Sequence, residues 1–229
     1  MLCCVAAVQA QSVDEILDNY FENTGGRENW ENLNNMKMNV KMVQGGFELT
    51  GVMFRARPNL QKQEIEFNGK KIINAYDGTN AWMVNPLAMA TEPTLMPEEQ
   101  AAELKEDEFE DPFLNYKDKG HTVELEGTET IEGTETYKVK LTKKNGSIEY
   151  YFFDSEYFVP IMTRRFAKTG PAKGQAMDLY LSDYDEEGGF MVPHTIVTKA
   201  NGQTAFQISI DSYEMNVDLP ADTFTFPGK

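Results

Sequence analysis

Paired turn residues punctuate this chain at short intervals, and that punctuation constrains its fold more than any other feature. Gly45-Gly46, Asn68-Gly69, Asp77-Gly78, Asn145-Gly146 and Gly188-Gly189 separate runs rich in Val, Ile, Thr, Tyr and Phe, the pattern of strands joined by tight hairpins. The first run shows the period directly. Met36, Met38, Val40 and Met42 fall on one side and Lys37, Asn39 and Lys41 on the other, as in a half-buried strand. The spacing predicts an antiparallel meander with strands near 36–43, 47–56, 60–67, 70–76, 80–84, 122–127, 135–142, 147–154, 159–167, 176–184, 191–200 and 205–217, about a dozen in one sheet or barrel. No composition break marks a second domain and no internal repeat is evident. Residues 11–229 therefore read as one domain, mainly β with a few helices.

Helical signals are confined to two places. Ser12-Val13-Asp14-Glu15 is a capping box, and Ile16, Leu17, Tyr20 and Phe21 share one face, which predicts a helix over 13–24. Gly25-Gly26 ends it, with a shorter helical piece over Arg27 to Leu33. The second place is Asn85 to Gly120, which interrupts the meander with four prolines, an acidic cluster and a helical candidate starting at Pro97. A connection of that length is a lid, a plug or a disordered excursion. Its apolar residues, Leu87, Met89, Leu95, Met96, Leu104, Phe109, Phe113 and Leu114, favour one that docks.

Charge excludes whole classes of partner. Lys and Arg number 21 against 37 Asp and Glu, a formal net charge of −16, the wrong sign for reading nucleic acid or an anionic membrane. Met1 to Gln11 is an uncharged apolar run, too short to span a bilayer, whose Val8-Gln9-Ala10 ending has the spacing a signal peptidase recognises. Residues 1–10 thus read as the remnant of a secretory signal. The positive leading segment of a complete signal is missing, which leaves open a start further upstream or a different role. Leu2 before Cys3, and Cys3 before Cys4, make neither cysteine a good lipid-attachment site. Cleavage after Ala10 would leave a chain without cysteine, hence without disulfides, thiol catalysis or thiolate metal sites.

A search for catalytic chemistry returns little. No Gly-x-Ser-x-Gly elbow, phosphate-cradling glycine loop or His-Glu-x-x-His occurs. His121 and His194, the two histidines, stand alone in their local sequence and read as structural. Asp183-x-Asp185-x-x-Gly188 opens like a calcium loop, but His194 stands where the bidentate Glu is needed. The run Glu106 to Asp111 reads as a solvated acidic face rather than as paired carboxylates or a metal patch. Asn145-Gly146-Ser147 matches a glycosylation acceptor, yet the hairpin reading suffices. The chain is read as a non-enzyme with no cofactor and no metal. Twelve methionines supply either a soft, ligand-adaptable surface or simply a Met-rich core, and periodicity leaves both open.

Three stretches, in order, resemble the outer-membrane lipoprotein carrier family of the LolA type. They are Gly51-Val52-Met53-Phe54-Arg55-Ala56-Arg57-Pro58-Asn59-Leu60; Tyr76-Asp77-Gly78-Thr79-Asn80-Ala81-Trp82-Met83-Val84-Asn85-Pro86; and Phe224-Thr225-Phe226-Pro227. The resemblance implies a half-open antiparallel β-barrel of LolA/LolB type whose concave apolar face is closed by helices, with 85–120 as a lid or plug insertion. It also implies a periplasmic, monomeric carrier that binds acyl chains of lipoproteins or another lipid and moves them from an inner-membrane donor complex to an outer-membrane acceptor. Arg57 matches the family's arginine that locks the lid. Arg55, on the same strand face, leaves open a plain surface role for both. The expected ligand-binding residues are Met36, Met38, Val40, Met42, Leu49, Met53, Ile65, Phe67, Trp82, Leu87, Met89, Met96 and Leu104. The rival reading is a lipid-sensing or lipoprotein-sensing regulatory module of the same fold.

Overall fold

The computed structural model describes residues 11–168, 170 and 172–228, so the run read as a signal remnant lies outside the described residues. Two helices come first among the described residues, α1 (Val13–Asn23) and α2 (Arg27–Asn32). Six strands follow: β1 (Asn35–Gln44), β2 (Phe47–Ala56), β3 (Leu60–Phe67), β4 (Lys70–Tyr76), β5 (Ala81–Asn85) and β6 (Ala90–Leu95). Helix α3 (Glu98–Glu106) then leads to β7 (Thr122–Ile131), β8 (Thr134–Thr142), β9 (Ile148–Asp154), β10 (Pro160–Phe166), β11 (Ala176–Glu187), β12 (Phe190–Ala200) and β13 (Gln203–Met215). Every expected strand is present. The additional one, β6, lies inside the connection expected from Asn85 to Gly120. Its six residues carry Pro93 midway, and a proline in a short run argues against a strand anywhere but at a sheet edge, where β6 sits.

The thirteen strands of the described residues form one antiparallel sheet in the order β6-β5-β4-β3-β2-β1-β13-β12-β11-β10-β9-β8-β7. Two meanders meet where the ends of the chain pair, Met36 opposite Met215 and Met42 opposite Ile208. The sheet is not closed: β6 and β7 are its two edges. Because those edges are consecutive in sequence, the chain between Leu95 and Thr122 has to pass from one side of the sheet to the other. It does so over the face that carries the strand methionines.

Side-chain alternation identifies that face across the whole sheet. Ile208, opposite Met42, pairs with Ile196; two residues on, Thr198 pairs with Leu179, Leu179 with Thr163, Thr163 with Tyr151 and Tyr151 with Val139. Helix α1 rests on the β8–β9 end of this face. Its capping box holds, Ser12 and Glu15 bonding reciprocally, and Ile16, Leu17, Tyr20 and Phe21 are buried with Val139, Leu141, Tyr151 and Phe153. Phe113 and Leu114, from the long connection, complete that cluster. Helix α3 rests near the other end, Ala101 and Leu104 packing with Tyr76, Ala81 and Met96. Among the described residues, no helix is long and apolar enough to cross a membrane.

Two glycines are required by close approach. A Cβ on Gly25, at φ +115°, would meet the Phe190 Cα at 3.2 Å, because the α1–α2 junction sits on the β11–β12 hairpin. A Cβ on Gly51 would fall 2.5 Å from Ile65 Cδ1, which leans across β2 from β3.

Candidate ligand-binding site

Between the two helix-covered ends lies an apolar trough. Its floor is Met38, Val40, Ile65 and Ile210, all buried, flanked by Met36, Leu49, Met53, Ile196, Ile208 and Tyr213. Met42, between Leu49 and Ile208, shares this face. Seven of the expected ligand-binding residues, Met36, Met38, Val40, Met42, Leu49, Met53 and Ile65, are thus brought together. Phe67 follows Ile65 on the same face at the open end, its ring edge-on to the exposed Phe47. Met96 packs under α3, and Leu104 belongs to α3 and packs with it against Tyr76 and Ala81.

Trp82, Leu87 and Met89 do not join the trough. Trp82 pairs with Ala75, Ala75 with Lys62, Lys62 with Phe54 and Phe54 with Lys37, which puts Trp82 on the opposite face. There its indole donates to the Phe224 carbonyl at 2.9 Å and its ring meets Phe226. The C-terminal Phe-x-Phe segment covers it, a contact between positions 142 apart that strand parity within one hairpin does not reveal. Leu87 and Met89 are exposed where β5 turns into β6, Met89 to 91%. A 3-10 turn capped by Asn85 carries them to the edge of the sheet.

What passes over the trough is held by polar side chains rising from β2, β3 and their turn. Arg57 donates from Nε to the Leu33 carbonyl at 2.7 Å and from Nη2 to the Trp30 carbonyl at 3.1 Å and the Glu31 carbonyl at 3.3 Å. These are carbonyls at the end of α2, which has no intrahelical partners for them. The Arg57 guanidinium also pairs with Glu110, and Glu110 with Lys119 at 2.5 Å. Arg55 donates to the Asp107 and Glu108 carbonyls, both at 3.0 Å, and pairs with the Asp107 carboxylate at 3.1 Å. Asn59 reaches the Lys105 carbonyl at 2.7 Å and Gln61 the Leu104 carbonyl at 2.8 Å. Arg57 therefore binds α2, while Arg55, Asn59 and Gln61 together cap the C-terminal end of α3.

Asp107 also lies 3.6 Å from Arg165 on β10. From β2 to β10 the sheet order counts five strand steps, about 24 Å in a flat sheet. Side chains that stand roughly perpendicular to a sheet meet at one carboxylate only if the sheet curls toward them. The trough face is therefore the concave one.

The run Glu106 to Asp111, expected to be a solvated acidic face, is instead tied down along its length. Glu106 pairs with Lys168, Asp107 with Arg55, Glu110 with Arg57 and Lys119, and Asp111 accepts from the Tyr20 hydroxyl at 2.7 Å and the Phe113 amide at 2.8 Å. Except for Lys119, the cations lie far from the run in sequence, at Arg55, Arg57, Arg165 and Lys168, so the local run gives little sign of them. Burial raises the Asp111 carboxyl above its ordinary value, against the opposing pull of the Tyr20 bond. Burial also works to raise Glu110, but the bonds and charges of Arg57 and Lys119 outweigh it and hold that carboxyl below the ordinary glutamate value. Sequence reasoning missed Asn59, Gln61, Asp107 and Glu110. The available signal was the density of donors in Arg55-Ala56-Arg57-Pro58-Asn59-Leu60-Gln61.

No family model matches the chain, and no curated protein matches it. Solved structures do. A DUF1329 family protein from Desulfovibrio piger superposes with a TM-score of 0.61 at 13% identity, over 93% of this chain and 97% of its own. A LolA superfamily protein from Nitrosomonas europaea gives 0.61 at 14% identity, over 94% and 98%. A domain described as outer-membrane lipoprotein-sorting, from Vibrio parahaemolyticus, gives 0.59 at 11% identity, over 92% and 95%. The fold is LolA-like.

Proposed function

From this LolA-like fold we propose that the protein is a periplasmic carrier that binds the acyl chains of lipoproteins in the concave trough and moves them toward the outer membrane. The observation that carries the reading is the contrast between floor and clamps. The floor is apolar and rich in methionine, whose flexible thioether side chains adapt to chains of different shape. What holds α2 and the C-terminal end of α3 over it is mostly hydrogen bonds to main-chain carbonyls, groups that water can satisfy equally well once they separate, while Phe113 and Leu114 anchor the far end of the segment in the core. Lid opening therefore exposes little unsatisfied polarity, while each methylene that enters the trough gains about 0.8 kcal/mol.

In this reading Arg57 and Arg55 lock the lid; of the expected insertion 85–120, β6 stays in the sheet and Phe113 and Leu114 stay in the core, and α3 with the residues up to Glu110 is the part displaced as cargo enters. An inner-membrane donor complex would load the carrier and an outer-membrane acceptor would unload it by offering equal or better burial. No chemical step is required of the chain. The test is native mass spectrometry of the protein purified gently from a Gram-negative periplasm, with titration of a synthetic triacylated lipopeptide. One acylated species per chain is expected. Protein that emerges bare and fails to take up the lipopeptide would overturn the proposal.

A further inference from the structure

A cavity of about 460 Å³ opens beside the C-terminal end of α3, between it and strands β9 to β11, within the size range of small-ligand sites. On the side of Arg165 its apolar surface comes from Leu104 of α3 and from Met177, the β11 partner of Arg165. Its floor is charged. Glu149, 5% exposed, pairs with Lys143 at 2.7 Å and accepts from the Tyr151 hydroxyl at 2.8 Å. Arg165 stands between two carboxylates, 3.6 Å from Glu149 and 3.6 Å from Asp107, outside hydrogen-bond distance of either. Its side chain is 44% exposed. A guanidinium with that access still has donors in a fixed fork to offer a planar or tetrahedral anion.

Asp107 is the residue that stands nearest to what such an anion would do. Its two oxygens face Arg55 and Arg165, one on each wall of the curl. It belongs to the segment after α3, not to the sheet, so it leaves with that segment. We infer that the cavity binds a single-chain amphiphile with an anionic head, the head taking the place of the Asp107 carboxylate at Arg165 and the chain lying against Leu104 and Met177. The inference rests on the carrier reading and adds to it a head-group preference. Asp107 is an internal competitor, so loading with an anionic lipid and release of the α3 end are one exchange: the incoming anion takes over one of the two arginines that Asp107 bridges. Exposed ion pairs are weakened by salt, so the preference should fall with ionic strength.

The test uses the whole chain and three probes that share one oleyl chain: oleate, oleoyl lysophosphatidate and oleyl alcohol. Wild type should bind at least one of the anions about tenfold more tightly than the alcohol, and whichever anion binds tighter says whether a carboxylate or a phosphate suits the site. Arg165→Gln should bring the anion-to-alcohol ratio to about one. Asp107→Asn should raise the ratio, which a mere loosening of the lid would not, since that helps all three probes. Equal affinity for the three probes in wild type, or a ratio unmoved in both variants, overturns the inference. Uptake of triacylated lipopeptide in the same samples keeps the carrier reading separate: lipopeptide bound without anion preference sinks only the head-group claim, and no binding of any acyl compound sinks both. Asp107→Asn retains a side chain of the same size and reads the ratio even if Arg165→Gln fails to fold.

Discussion

At the scale of single residues, the heaviest duty falls on Arg57. Its guanidinium serves three carbonyls at the end of α2 and the Glu110 carboxylate at once, which a lysine, with one compact ammonium, could not match. Arg57→Leu should lower unfolding free energy by about 3 kcal/mol in urea titration while leaving the far-ultraviolet spectrum of the sheet intact. It should also change how long a bound lipopeptide is retained; unchanged stability and retention would remove Arg57 from the lid. Glu110 makes the same clamp pH-dependent. Its folded pKa is depressed below the ordinary 4.5, so its contribution is complete above the unfolded pKa and is lost as pH falls through the folded one. Glu110→Gln should therefore show a shallower loss of stability on acidification below about pH 4.5 than wild type, measured by thermal melting across pH. A variant with an acid limb as steep as wild type would assign that limb to other carboxylates.

At the scale of elements, the strands and α1 were legible and the course of the connection from Leu95 to Thr122 was not. Alternation along Met36 to Met42 and the capping box at Ser12 are short-range patterns, set by the geometry of one element. β6 escaped notice because Pro93 interrupts it, and only its edge position makes that proline tolerable. The acidic run from Glu106 to Asp111 looked solvated because its cations are supplied by β2, by β10, by Lys168 beyond β10 and by Lys119. Gly51 shows the reverse dependence, a local choice explained by a neighbouring strand. With a Cβ there, Ile65 and the β3 backbone would have to move. Gly51→Ala should cost about 1–3 kcal/mol, read as a lowered melting temperature, although alanine favours regular structure over glycine in most strands.

At the scale of the molecule, the two tryptophans report on different faces. Trp30 lies in α2, edge-on to Phe190, its indole donating to Thr24 Oγ1 at 3.1 Å. Trp82 lies beneath the C-terminal segment on the convex face. If cargo displaces the lid, a Trp82→Phe protein, with Trp30 alone, should change emission on adding lipopeptide, and a Trp30→Phe protein should not. A response confined to Trp82 would place the ligand on the other face.

The sequence by itself determined the class of structure: an antiparallel meander with one amphipathic helix in front, an apolar strand face and a long docking connection, with no local signature of catalysis. Those properties follow from neighbours in the chain, through period, turn chemistry and capping. The tertiary structure decided which face is concave, that Trp82 is walled off from the trough, and that Asp107, 52 positions from Arg55, bridges two walls. Such facts depend on the order in which strands pair and on how far the sheet curls, which bring distant charges together without leaving any mark on the residues beside them.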